Sequence, residues 1–446
     1  MLPYSRLFDQ RTLTLMMEHD AIVQRYRALF ALIDWQVLPD PVPDPSRPGK
    51  RPHPESAYIK ALFIKINEGY EYCSQLRRFL VEHPLLVLEL GFRPVLNGDL
   101  PYGFDVGRTV PSERWLREKQ RTLDHPHLQD LFHATVHALQ EAIPGLGEVV
   151  AIDVKHQYAW VRENNFRESI KDRFCKERQP RGDPDCRVGV KSSTNQEQPD
   201  GSTKERKEYL WGYGSGIATA TMPDYGDMVM ADLTQAFNAS DVSYFLRLYI
   251  QTVAVLGFFP LHLTADAAYD AWYVYQTCAH REGIMAIPKN GHGHEEVPRD
   301  RDGVPLCPIG LRMHPTYRFL HTKGYQAQRY RCPLLFPQRT GETCEHEQFL
   351  KGKGCVKDIN SEKGGLMRAM LDRSSPLYRA VYRQRTSAER INSQAKARCI
   401  ERPKVRQGDS VKRLNTLTYI VINVKALARA RAINASLLTP KLGKLA

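Results

Sequence analysis

Residues 148–155 read EVVAIDVK, and at this point the texture of the chain changes. A β-branched apolar run closing on a carboxylate, Asp153, reads as a buried strand. Beyond it, EYLWGYGSGIATATM (208–222) and GDMVMADLTQ (226–235) read as further strands parted by turn residues. SDVSYFLRLYIQTVAVLG (240–257) reads as a helix, and FPLHLTAD (259–266) as another strand, closing on Asp266. AWYVYQTCAHREG (271–283) then reads as a helix leading to the strand IMAIPK (284–289). Strands first, then helix and strand in alternation, predict an α/β domain built on a mixed sheet.

Upstream, residues 1–145 read as helical. ESAYIKALFIKINEGYEYCSQLRRFLVEHPLLVLEL (55–90) has apolar residues at helical spacing. Ser112 is a candidate N-cap for VPSERWLREKQRTL (110–123), and LQDLFHATVHALQEAI (128–143) continues the pattern. With their basic RWLREK face these helices suit either a helix-turn-helix-like DNA module or a plain bundle. Two segments interrupt the α/β part: a polar loop at 176–208 and a longer insertion at 291–375, rich in Gly, Pro, Cys and charge. The domain order is therefore a helical N-terminal part suited to DNA binding or dimerisation (1–145), the first part of the α/β domain (146–290), the Cys-bearing insertion (291–375), and a C-terminal part (376–446). That last part begins with a helix running from Pro376 through Glu389 towards Arg398. It ends in VKRLNTLTYIVINVKALARARA (411–432), whose apolar stripe is fit to pack on the sheet.

The chain of 446 residues has a net charge of +13, and the excess is local: from Ala380 onward there are 15 Lys and Arg against 3 Asp and Glu. A basic excess gathered in one region suits a polyanion, usually nucleic acid, although a solvated basic tail has the same composition. Nine cysteines are too sparse for a disulfide scaffold. The N-terminus lacks the apolar core of a secretory signal, and no window of about 18 uninterrupted apolar residues is present. These features predict a cytoplasmic protein.

Asp153 and Asp266 each end a hydrophobic strand, where ligand sites of α/β sheets gather. Paired carboxylates there suit a hard divalent cation acting on phosphate; singly, each also suits a turn cap. YRQRTSAERINSQAK (382–396) adds a third carboxylate. On one continuous helix at about 100° per residue, Tyr382, Arg385, Glu389 and Lys396 fall within about 60° of one another. Ala388, Ile391 and Ala395 form the opposite, core-facing stripe. Cations in a row can track successive phosphates. A glutamate among them would repel DNA unless a metal ion neutralises it, or it forms a weak i,i+4 pair with Arg385.

Taken together, Asp153, Asp266 and the pattern Tyr382-x2-Arg385-x3-Glu389-x6-Lys396 resemble the catalytic domain of DDE transposases of bacterial insertion sequences. The match is to the subgroup with a Tyr-Arg-Glu-Lys signature, over roughly 147–400. The resemblance implies a ribonuclease-H-like fold in which Asp153, Asp266 and Glu389 hold two Mg²⁺ ions, with Mn²⁺ as a substitute. It implies cleavage at insertion-sequence ends and joining to target DNA, with Tyr382, Arg385 and Lys396 on the phosphates. The partners are then double-stranded DNA and a second copy of the chain on that DNA, in the nucleoid. A non-catalytic DNA-binding derivative and a nuclease of the same fold would share these residues.

Other residues carry weaker signals. Cys307, Cys332, Cys344 and Cys355 could hold structural Zn²⁺, but they lack tight C-x2–4-C spacing, so reduced, partly buried thiols come first. Lys155, His156 and Lys289 lie close to strand ends. Asp270 reads as a helix N-cap rather than a ligand.

Overall fold

The computed structural model describes residues 10–39, 52–197, 203–279, 281–290 and 297–438. The first nine residues, the tip of the polar loop at 198–202, the start of the insertion at 291–296, and Lys441 and Lys444 of the basic tail lie outside them. The chain forms two compact units, Met1–Phe259 with Thr386–Ala446, and Pro260–Arg385. The boundary read at 145/146 falls inside the first unit. Both units mix helix and strand, so the α/β class holds.

The first unit opens with helices α1 (Gln10–His19), α2 (Ala21–Phe30), α3 (Glu55–Asn67), α4 (Cys73–Glu82), α5 (Pro84–Glu89), α6 (Glu113–Thr122) and α7 (His125–Ala142). Ser112 caps α6, its hydroxyl accepting from the Trp115 amide at 3.3 Å. The strands are β1 (Val149–Tyr158), β2 (Arg187–Glu197), β3 (Thr203–Met222) and β4 (Gly226–Ala236), followed by helix α8 (Val242–Leu256). All pairings among them are antiparallel. The 20-residue β3 organises the sheet. Residues 212–219 of β3 pair with β1, while on its other edge 203–212 pair with β2 and 213–222 with β4.

The polar segment 176–208, read as a loop, thus contributes β2 and the start of β3. Its charge hid a hairpin whose backbone pairing is continuous with the core strand. Gly214 and Gly216 explain the glycine-rich centre of β3: a Cβ at either would lie 2.3 or 2.5 Å from Tyr244 of α8. Only glycine lets that aromatic lie so close to the sheet.

Pro260 begins the second unit. Strand β5 (His262–Thr264) runs parallel to β6 (Met285–Ala286), with helix α9 (Trp272–Gln276) between them in sequence. The helix expected over 271–283 is therefore five residues long. The Cys-bearing insertion is more regular than expected, because β7 (His314–Leu320), β8 (Gln326–Arg331) and β9 (Val356–Asn360) form an antiparallel sheet. Helices α10 (Lys363–Met370) and α11 (Pro376–Arg383) close the unit.

The continuous helix read from Pro376 past Glu389 is two helices. After α11 the amides of Gln384 and Arg385 bond to Val381 and Tyr382, i to i−3, which closes the turn. Helix α12 (Thr386–Lys396) then starts afresh in the first unit. Tyr382 and Arg385 accordingly lie outside the helix that carries Glu389 and Lys396, and a single helical wheel does not relate the four. Thr386-x-x-Glu389 is the sequence form of a helix start, a signal that the periodicity outweighed. Within α12 the expected stripe holds: Ala388, Ile391 and Ala395 are buried while Glu389 and Lys396 are exposed.

The last helix, α13 (Gly408–Leu438), is not a one-sided amphipathic element. It packs against α7 and β4, and Val411, Leu417, Ile420, Val421, Val424 and Leu427 are all buried. Its buried amide side chains have partners in the sheet. Asn423 brackets Val229 of β4, accepting from its amide at 2.9 Å and donating to its carbonyl at 2.8 Å. Asn415 and Gln157 exchange amide bonds at 2.9 and 3.0 Å. An amide side chain that imitates a strand partner lets a helix lie against backbone that would otherwise be orphaned.

Candidate active site

In the first unit the site is built where α12 docks on the sheet. Three contacts fix that docking. Ser387 and Thr219 of β3 share a buried hydroxyl–hydroxyl bond of 2.8 Å. Arg390 grips Asp227 of β4 through Nε and Nη2, both at 2.7 Å. Asn392 donates from Nδ2 to Asp153 Oδ2 at 2.9 Å. Glu389 precedes Asn392 by three residues, so it stands roughly 60° round the helix and about 4.5 Å along its axis from the residue that holds Asp153. Asp153 lies half-buried near the middle of β1, five residues before the strand ends at Tyr158.

The other amide atom of Asn392, Oδ1, is buried with no hydrogen-bond partner among the described residues. A buried acceptor in that position is costly unless a water or a hydrated ion meets it. Beside it stand one oriented carboxylate and, one turn away, an exposed one. A hard cation that keeps part of its water shell fits such oxygen donors. Among the described residues no three His, Cys, Asp or Glu side chains are already gathered as a metal-holding group.

Lys396 and Lys155 both pair with Glu401, at 3.0 and 3.2 Å. Burial works against the Glu401 carboxylate, but the two lysines outweigh it and hold its pKa below the usual range. Lys396 stays 60% exposed, a cation on a short tether. His156 leans on Phe237, 4.2 Å between ring centroids, and faces Asp241 at 3.9 Å.

The second unit carries Asp266, Tyr382 and Arg385. Asp266 follows β5 and accepts from the Ala268 amide at 2.9 Å, capping the turn 267–269. The Arg385 guanidinium lies 5.8 Å from the Tyr382 ring, which stacks on Tyr378. Asp270 is not the N-cap expected: Ala271 stands at that position of α9. Its carboxylate, fully buried, takes Arg368 in a fork at 2.8 and 2.6 Å, the Asn290 amide at 2.9 Å and the Tyr275 hydroxyl at 3.0 Å. Burial opposes its charge, yet these donors hold its pKa below the ordinary carboxylate value. Lys289 is largely exposed, and partial desolvation, then the nearby Arg373 and Arg368 cations, lower its pKa.

All nine cysteines are free thiols. Cys307, Cys332 and Cys355 are buried in one apolar cluster with Met313 and Leu334, and Cys344 packs against it. Burial, then the neighbouring Cys332 and Cys307 sulfurs, push the Cys355 thiol up to about 12. The four sulfurs thus belong to one small packed core.

Asn392, Glu401 and Arg390 were missed in the sequence. Their types are ordinary on a polar helix, and only the sheet residue that each meets gives them a role. No protein-family model, curated protein or solved structure matches this chain. Among the described residues no helix is long and apolar enough to cross a membrane.

Proposed function

We propose that this chain is a DDE transposase on a ribonuclease-H-like fold: it binds insertion-sequence ends, cuts DNA strands and joins them to target DNA. The observation that carries the proposal is the docking of α12. The helix bearing Glu389 is held to the sheet by Asn392 through Asp153 itself, so two carboxylates assigned to the reaction belong to one local construction. Asp266, which caps the turn after β5 in the second unit, is the third.

Two Mg²⁺ ions held by Asp153, Asp266 and Glu389 would supply activation of the attacking oxygen and stabilisation of the leaving one. Asn392 keeps Asp153 in the orientation in which it serves as a ligand. Lys396, Tyr382 and Arg385 contact phosphates, and Glu401 holds Lys396 in place until DNA replaces it. Water cuts first and frees a 3′-hydroxyl, which then attacks target DNA; no protein–DNA bond forms. Two copies of the chain act together on paired ends, in the nucleoid.

The test is strand cleavage in Mg²⁺ on DNA carrying this gene with its native flanks, wild type beside Glu389→Gln. Two discrete flanking cuts are expected in the wild type. In the variant the rate should fall on the order of 10³-fold or more with binding retained. Equal cutting by both would remove Glu389 from the mechanism. Binding without cutting by either would point to a DNA-binding protein that has lost, or never had, the reaction.

A further inference from the structure

The first unit carries a second polar construction that the proposed chemistry does not use. The linker from α12 to α13, ERPKVRQ (401–407), lies between two clefts of about 360 and 350 Å³. Trp160, Lys404 and Arg406 line both, so the clefts adjoin along the linker. Arg402 lines the first, while Arg114, Arg117 and Arg121 of α6 line the second. The acids that line them, Glu168 and Glu118, are paired to Arg162 and Arg121 at 2.8 and 3.0 Å. Arg117 pairs with Glu113 on the same helix. Exposed pairs of this kind are weak, so an incoming phosphate displaces them at small cost.

The cations are held, not merely exposed. The Arg406 guanidinium lies 4.9 Å from the Trp160 ring centre while its Nε donates to the Trp160 carbonyl at 3.1 Å. Arg402 lies 4.3 Å from the Tyr158 ring. The Tyr158 amide donates to the Glu401 carbonyl at 2.9 Å, pinning the linker to the end of β1. Ser410, which lines the second cleft, is 2% exposed, and its Oγ has no hydrogen-bond partner among the described residues. Five cations line that cleft with it, so an anionic oxygen entering there would meet a hydroxyl donor as well as positive charge.

We infer that the two clefts form one groove that takes the sugar–phosphate backbone of duplex DNA, with Arg402, Lys404, Arg406, Arg114, Arg117 and Arg121 as its phosphate contacts. This deepens the proposed function and rests on it for the identity of the DNA. The groove starts at Tyr158, five residues along β1 from Asp153, or roughly 17 Å of strand. At 3.4 Å per base step that is about five base pairs from the reacting phosphate. Lys396 and Lys155, joined through Glu401, stand at its near end. The groove reads no sequence; it sets the position of the duplex.

The experiment measures the affinity of the full chain for a 30-base-pair duplex from the gene's flank, and for an unrelated one, across a salt series. Compared are the wild type, Arg114→Gln/Arg117→Gln/Arg121→Gln, Arg402→Gln/Lys404→Gln/Arg406→Gln, and Arg247→Gln on the exposed face of α8 as a control. Circular dichroism confirms that each folds. Each lost contact should flatten the slope of log K against log salt by about 0.9, so each triple variant should lose about 2.7. Affinity near 0.1 M salt should fall roughly two to three orders of magnitude on both duplexes. Wild-type slopes in folded triple variants, or an equal loss in Arg247→Gln, would overturn the groove and leave the transposase proposal standing. Flattened slopes with no cleavage in the flank assay would keep the groove and sink the transposase. A wild-type chain that binds neither duplex sinks both.

Discussion

The Asn392 amide meets Asp153 in a single 2.9 Å contact, and its loss has separable consequences. Contacts that orient a ligating carboxylate typically change metal affinity or activity 10–100-fold, whereas they do not touch the nucleic acid. Asn392→Ala should therefore raise the Mg²⁺ concentration for half-maximal cleavage by about 10–100-fold at unchanged DNA affinity. A titration of cleavage rate against Mg²⁺ checks this; a loss of DNA affinity instead would assign Asn392 to folding of the helix face. His125 gives a pH prediction. Burial first, then Lys412 and Arg413, lower its pKa to about 4, and its Nε2 lies 3.1 Å from the Thr416 hydroxyl. The unfolded chain, with an ordinary value near 6.5, binds the proton more readily. Stability from neutral His125 is thus complete above about pH 6.5 and is lost as pH falls towards 4. His125→Gln should flatten the urea-midpoint profile between those values while leaving the rest of the acid limb.

At the scale of elements, α13 shows how a helix with little amphipathic contrast becomes a core. Asn423 satisfies both backbone groups of Val229. Asn423→Leu keeps the branched outline of the side chain and orphans an amide and a carbonyl, each costing roughly 1–3 kcal/mol. Unfolding in urea should shift by that order, with early hydrogen exchange at the Val229 amide. A shift below about 0.5 kcal/mol would mean that water reaches β4 there. The break between α11 and α12 belongs to the same scale. Periodicity alone joined them, because a turn of two residues barely disturbs a hydrophobic pattern, whereas the i to i−3 closure at Gln384 and Arg385 decides the boundary.

For the whole molecule, a net charge of +13 matters through its placement. With six groove cations each neutralising one phosphate, the slope of log K against log salt should be about −5 or steeper. Raising salt from 50 to 200 mM should then weaken duplex binding by about 10³-fold, measured on the wild type alone. A nearly flat dependence would assign the charge to solvation.

The strand at Asp153, the strands of 208–235, the helix of 240–257 and the buried stripe of α12 were legible in the sequence. Each rests on local periodicity of apolar residues, which backbone geometry turns directly into an element. The signature Tyr382, Arg385, Glu389 and Lys396 was legible as a pattern too, but not its division between two units. Nor could sequence show that Asp270 is the hub of an arginine pair, that a charged loop is β2, or that Asn392 reaches back across more than 200 residues to Asp153. Those are pairings between distant segments. A polar side chain looks alike in sequence whether it faces water or a partner, and only the folded chain supplies the partner.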